Sequence, residues 1–507
     1  MRPVFAEKAD KSYAEHGSFV GRLAKREYQS SGLSVPTEPT PILQPSIGTT
    51  GSNEFKEIPM LTAGVARTCL TPFWGVELTG WGYYIERKWQ RIHDDLHATA
   101  LVVDDGQRQV ALVTLDLMVI DERFARMTRE RIQQETDLAA DAILLTCSHS
   151  HNAPAAGGLL GVGQCDPAYE DWASRQAATA VVMAWRNRRP ARLATGRDQM
   201  AGHTFNRTRS NGLVDANVTV LRVDSIDDRP LAVVVNFGAH PTVSTQWRPY
   251  DVSRDLPGDV CDRIERAIPN VMALYVQGAC GDVNFLPEYV NEVRHHEPAH
   301  RLAETALSCA ASARPSQSMT VNSASEIANL PTRRWLREEI DHDRDEAQRR
   351  LASDDVTGWR DTIGRSMTNR PDDMVTRHGG NERKAVRAMA RFHIEWTDRI
   401  LLDWDTRPET LQTEVQALRI GDLTIVANSS EFFTSFALGV RQRANVPEIM
   451  LACYSNGRIG YLPDDHDIKA RSYAGFQSPK YCNQFPFTAN SGPAMCDAML
   501  RTIARSR

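Results

Sequence analysis

His149 and His151, two residues apart in the run CSHSHN, are the side chains of this sequence best placed by type and spacing to hold a metal ion. They follow the apolar run AILLT, which reads as a buried strand beginning at Ala142, and an extended segment sends side chains two apart to the same side. His240, in NFGAHPTVS, closes a second apolar run that starts at Leu231, and the proline after it stiffens the turn. A His-x-His pair alone is as readily an ordinary satisfied pair; a third histidine at another strand end makes a ligand set. Neutral imidazoles are zinc ligands, and hydrolytic zinc sites leave a position open for a water whose pKa the ion lowers toward about 7. There is no H-E-x-x-H segment, which excludes the helical zinc-protease pattern. His93, His97, His203, His295 and His296 lie in polar stretches without a comparable strand end.

The elements around these residues predict an α/β fold: a central mixed β-sheet flanked by helices, with the metal site at strand ends. LVVDDGQRQVALVTLDL, from Leu101, reads as a hairpin turning at Asp-Asp-Gly; a helix is expected over Glu122 to Glu135, then the strand that leads to His149. MALYVQGACGDVN, from Met272, repeats the form of an apolar run ending in small and polar residues. Residues 333–405 turn dense in Arg, Asp, Glu and Trp and read as a charged helical insertion, with helices near Trp335 to Leu351 and Glu382 to Leu402 and a polar break over Thr368 to Gly380. Residues 1–57 lack a periodic apolar face and read as a flexible N-terminal arm or linker, through which a homo-oligomer could form. The domain division expected is thus 1–57 for the arm and 58–507 for a catalytic domain.

A length of 507 residues at 41% hydrophobic is enough for one large core. The net charge of -5, with both signs dispersed, gives no footprint for nucleic acid. No window suits a transmembrane span or an export signal, and none of the nine cysteines forms a C-x-x-C pair, so a cytoplasmic protein acting on a small-molecule substrate is the expectation.

Several segments, in order from Ile58 to Gly475, together resemble the catalytic domain of the neutral, alkaline-type ceramidases. CSHSHNAPAAGG resembles that family's Thr-His-Thr-His-Ser-Gly-Pro-Gly-Gly segment, FNRT at Phe205 its Asn-Arg-Ser, and NFGAHPTVS its Trp-Phe-Ala-Val-His. QGACGDVNF resembles its Gly-Asp-Val-Ser-Pro-Asn stretch, SSEFFTSFALGVR its Glu-x-x-Thr helix, and YSNGRIGYLPDDHDIKARSYAG its tyrosine-bearing segment. The resemblance implies one Zn2+ per chain held by His149, His240, Glu431 and Tyr461. It further implies that His151, Arg207 and Tyr473 surround the reacting carbonyl, the histidine handling a proton and the other two donating to the oxyanion, with Asp282 in support.

The sequence departs from that pattern at Asn284, which stands where the family has an activity-associated serine, and Phe285 replaces the following proline. It also ends about thirty residues after Tyr473, short of the family's C-terminal β-sandwich. The expected activity is zinc-dependent hydrolysis of an amide, either ceramide-like or smaller and polar. Two other readings stay open: lactone or ester hydrolysis by the same machinery, and a non-catalytic protein with a structural zinc. Read from the residues alone, Glu431 could equally charge a helix that begins near Ser430, either tyrosine could be a core aromatic, and Cys147 could be a nucleophile beside the histidines.

Overall fold

In a computed structural model, residues 61–82, 84–366 and 371–507 are described; the arm over residues 1–57 lies outside them. Alternating apolar side chains divide most strands between two faces. In His97–Asp104, Ala98, Ala100 and Val102 enter one buried cluster while Leu101 and Val103 enter another, and Gln109–Leu115 splits in the same way. A strand buried on both faces must be covered twice, and here a second sheet covers one face and helices the other.

The larger sheet runs Met272–Gln277, Pro230–Phe237, Asn217–Ser225, Arg189–Gln199, Thr62–Cys69, His97–Asp104, Gln109–Leu115, Ile143–Cys147, with Arg314–Pro315 paired to the side of Arg189–Gln199. Its outermost pairs on both ends are parallel and the pairs between them antiparallel, so it is mixed. The smaller sheet, Val321–Pro331, Thr410–Ile420, Leu423–Ala427, Glu448–Ala452, also ends on a parallel pair. The inner faces meet through Leu101, Leu112, Leu144, Val234 and Leu274 on one side and Leu418, Ile425 and Met450 on the other. Each such aliphatic side chain, fully buried, contributes about 1.5–3 kcal/mol relative to exposure. Helices Pro167–Arg186, Asp255–Ala267 and His296–Ala311 pack on the larger sheet, Glu122–Gln133 packs against Pro167–Arg186, and Ser491–Arg505 packs on the smaller sheet.

The α/β expectation, the hairpin, the helix from Glu122 and the strands ending at Cys147, Phe237 and Gln277 agree with this architecture. The insertion is helical, but its polar break is shorter than expected. Val356–Ser366 and Pro371–Arg377 are helices beside Arg337–Ser353 and Glu382–Leu401, held by a core that includes Trp335, Trp359, Met374, Phe392 and Trp396. Polar composition concealed Pro371–Arg377, which is anchored in that core by Met374 and Val375. Residues 367–370 lie outside the described residues.

Candidate metal centre

The two sheets join where parallel strands end. Cys453 N–H donates to Gln277 O (2.9 Å) and Cys147 N–H to Tyr454 O (3.1 Å), tying the last strands of both sheets at their C-terminal edges. His149 follows Ile143–Cys147, His240 follows Pro230–Phe237, and Glu431 follows Leu423–Ala427. Convergence at His149 differs from simple strand alternation: its φ is +64°, in the left-handed region, so the chain turns sharply after the strand. His149 and His151 still meet, with rings 4.8 Å apart. Tyr454 at φ +56° and Asn456 at φ +59° share that unfavourable conformation, so backbone strain collects around one point.

Each imidazole uses its Nδ1 on a main-chain carbonyl: His149 on Met118 at 3.0 Å, His151 on Gly80 at 2.8 Å, His240 on Cys280 at 2.6 Å. A carbonyl has no proton to give, so Nδ1 carries the hydrogen and each Nε2 presents a lone pair. Those Nε2 atoms face one another: His149 is 3.2 Å from His240 and 3.3 Å from His151. The Glu431 carboxylate stands 3.5 Å from His149 Nε2 and 3.4 Å from His240 Nε2, and its Oε2 is buried without a hydrogen-bond donor. Three lone pairs and a carboxylate oxygen with no N–H between them repel unless a cation lies among them. The donor set therefore fits a metal ion, and nitrogen with carboxylate oxygen suits zinc.

Burial pushes the imidazole of His151 well down and that of His240 down to about 3, which keeps both neutral. The phenols of Tyr461 and Tyr473 are raised by burial, with Arg207 pulling both the other way.

Glu431 belongs to a two-residue strand, Glu431–Phe432, whose parallel partner is Tyr461–Leu462 with Glu431 opposite Tyr461; the helix starts later, at Thr434. This replaces the helix-start alternative for Glu431. Tyr461 OH is 3.4 Å from His240 Nε2 and accepts from Arg207 Nη2 at 2.6 Å. Arg207 also donates to Gly281 O from Nε and Nη2, while Nη1 lies 3.5 Å from Asn284 Oδ1. The residue at the family's serine position thus touches the guanidinium. Tyr473 opens a π-helical turn, Tyr473–Gln477, with its ring edge-on to Tyr461 at 5.5 Å. All seven residues singled out in the sequence fall in one cluster.

Asp282 ties the cluster together. Its carboxylate accepts from Thr434 N–H and Oγ1–H, both at 2.8 Å, and from Asn206 Nδ2 at 2.7 Å, while its main-chain oxygen accepts from Arg207 N–H at 2.8 Å. Sequence reasoning missed Tyr454, whose ring stacks on His149 at 3.9 Å and whose hydroxyl lies 2.9 Å from Cys280 Sγ. Its only signal is a position directly after a buried strand in an Asn- and Gly-rich turn. Cys147 is fully buried, and burial raises its thiol far above the usual range, so it is no nucleophile.

Two stacked sheets with helices outside and a histidine cluster at the strand ends define an α/β protein with a metal-competent centre. Its fold is that of the neutral ceramidases. The neutral ceramidase from Pseudomonas aeruginosa matches with a TM-score of 0.62 at 16% identity, over 88% of this chain and 74% of that one. A ceramidase complexed with C2 matches with a TM-score of 0.62 at 14% identity, over 88% of this chain and 75% of the other. No family model matches the sequence.

Proposed function

We propose that this protein is a zinc-dependent hydrolase acting on a carbonyl compound, with a non-peptide amide as the bond cleaved. The observation that carries the reading is the convergence of three imidazole lone pairs, two of which, on His149 and His240, also face an orphaned Glu431 oxygen. His149, His240, Glu431 and Tyr461 would hold the ion. Zinc bound there supplies Lewis acidity, lowering the pKa of a water toward about 7.

The chain's own groups do the rest. Arg207 has Nε and Nη2 engaged by Gly281 and Tyr461, which fixes its plane and leaves Nη1, on the Asn284 side, to donate to a developing oxyanion. Tyr473 is a second donor, half-buried at the edge of Tyr461. His151, neutral and oriented by Gly80, takes a proton and returns it to the leaving amine. A second ligand assignment has its own support: His151 Nε2 is as near to His149 as His240 is, so His151 could ligate in place of Tyr461. Zinc content of Tyr461→Phe and His151→Asn separates the two, since the variant that loses metal identifies the ligand.

The test is a matched pair of substrates, an N-octanoyl amide and the corresponding ester, with zinc-loaded protein and with Arg207→Met. Amide hydrolysis that falls about 10²–10³-fold in the variant, at unchanged zinc content, supports the reading. Ester-only turnover moves the protein to the esterase alternative, and absence of turnover on either substrate contradicts catalysis by this centre.

A further inference from the structure

A cavity of about 580 Å³ opens between the Tyr84–Glu86 loop and the helical insertion. That is the size of a small-molecule pocket, generally 300–1,000 Å³ at roughly that scale. In a protein whose net charge is -5, this cavity is lined by Arg377, Lys384, Arg387 and Arg391 against Glu86 and Glu395. Arg387 is matched by Asp354 at 2.8 Å, and Glu395 is spent on Arg399 at 2.7 Å. Among the described residues, Lys384 and Arg391 have no ion-pair partner.

Behind the opposite wall lies a second cationic feature. Tyr84 and Tyr250 join hydroxyls at 2.7 Å, and behind them Arg87 is fully buried. Arg87 donates to Pro249 O, Thr79 O and His151 O, its Nη2 has no partner, and no carboxylate lies among the groups that act on it. Trp81 is sandwiched between Arg87, 4.1 Å from the ring centroid, and Arg377, 4.5 Å from it. The same loop reaches the centre, since Gly80 O accepts from His151 Nδ1 and Arg87 holds the His151 carbonyl at 2.9 Å. Exposed cations on the helical wall, with the buried Arg87 behind the tyrosines and a loop shared with the centre, concentrate an anion there.

We infer that this cavity binds the anionic group, carboxylate or phosphate, of the substrate, which makes that substrate an acidic N-acyl amide. The inference rests on the hydrolase reading and names its substrate class. Binding is measured by calorimetry on the full chain with the keto acid isostere of N-octanoylglycine, its neutral keto amide and the matching keto phosphonate, none of which has the N-acyl bond that the proposed reaction cleaves. At least one anion binds about tenfold or more tightly than the amide to the wild type, and the tighter of the two identifies the group. In Lys384→Gln/Arg391→Gln, two exposed positions on one helix, that ratio falls toward one. Equal affinities on the wild type, or an advantage that persists in the double variant, overturns the inference. An anion advantage lost in the variant, with no hydrolysis of any acyl amide by zinc-loaded protein, upholds the cavity and rejects the hydrolase reading instead.

Discussion

Side chains at the centre are held by main-chain carbonyls, and that is the residue-scale reason it can bind metal. Met118, Gly80 and Cys280 each fix one imidazole tautomer, and loss of such a partner commonly costs about 10–100-fold in metal affinity. Packing at Gly281 is equally tight: a Cβ there would lie 2.4 Å from Glu431 O, a backbone atom that cannot swing aside. Gly281→Ala is expected to destabilise the fold by roughly 1–3 kcal/mol and to weaken zinc binding, checked by thermal unfolding with and without added zinc. An unchanged midpoint and unchanged zinc affinity would show that the loop moves freely. Much of this scale was legible in the sequence, because His149, His151 and His240 each follow a buried apolar run. Tyr454 was not, since its stacking on His149 depends on a left-handed residue joining two sheets.

Among the elements, Asp282 clamps the segment carrying Asn206 and Arg207 to the helix that begins at Thr434. Asp282→Ala leaves Thr434 and Asn206 without their acceptor, so zinc affinity should fall about 10–100-fold while the far-ultraviolet circular dichroism is retained. Full affinity in that variant would mean the clamp is redundant. A second joint links the insertion to the turn that carries Tyr473. Lys480, 2% exposed, pairs with Asp343 and lies over the rings of Trp335, Trp396 and Phe476. Asp343→Asn strands that buried charge and should cost about 3–5 kcal/mol, read by denaturant unfolding, with much of it recovered in Asp343→Asn/Lys480→Met. No recovery in the double variant would place the cost in Asp343 alone. The strands ending in His149 and His240 were readable from apolar runs, whereas the smaller sheet was not read. Its hairpin, Thr410–Ile420 with Leu423–Ala427, did carry a usable signal in the Gly421-Asp422 turn and in the alternation that sends Val415 and Ala417 to one face and Leu418 and Ile420 to the other.

For the whole molecule, buried ionisable groups away from the centre set opposing pH dependences. Burial pushes the imidazoles of His97 and His393 down to about 4, and the carboxyls of Asp116 and Asp255 up to about 6. From pH about 6.5 down to about 4 the unfolded chain takes up histidine protons that the native chain refuses, so these histidines remove stability as pH falls. From about 6 down to about 3.9 the aspartates act in reverse, because the native state holds the protons. The stability of His97→Gln/His393→Gln, relative to wild type, should therefore rise as pH is lowered through that first window in denaturant titrations; a constant difference would contradict the assignment. No helix among the described residues is long and apolar enough to cross a membrane. The stacking of two sheets lay beyond the sequence, since a run buried on both faces does not say what covers each. The most direct test of the central claim is the zinc content of the wild type and of His149→Ala/His240→Ala, purified alike without chelators. About one zinc per chain, lost in the variant, is the result predicted; wild-type protein free of metal, or a variant that keeps its zinc, would contradict it.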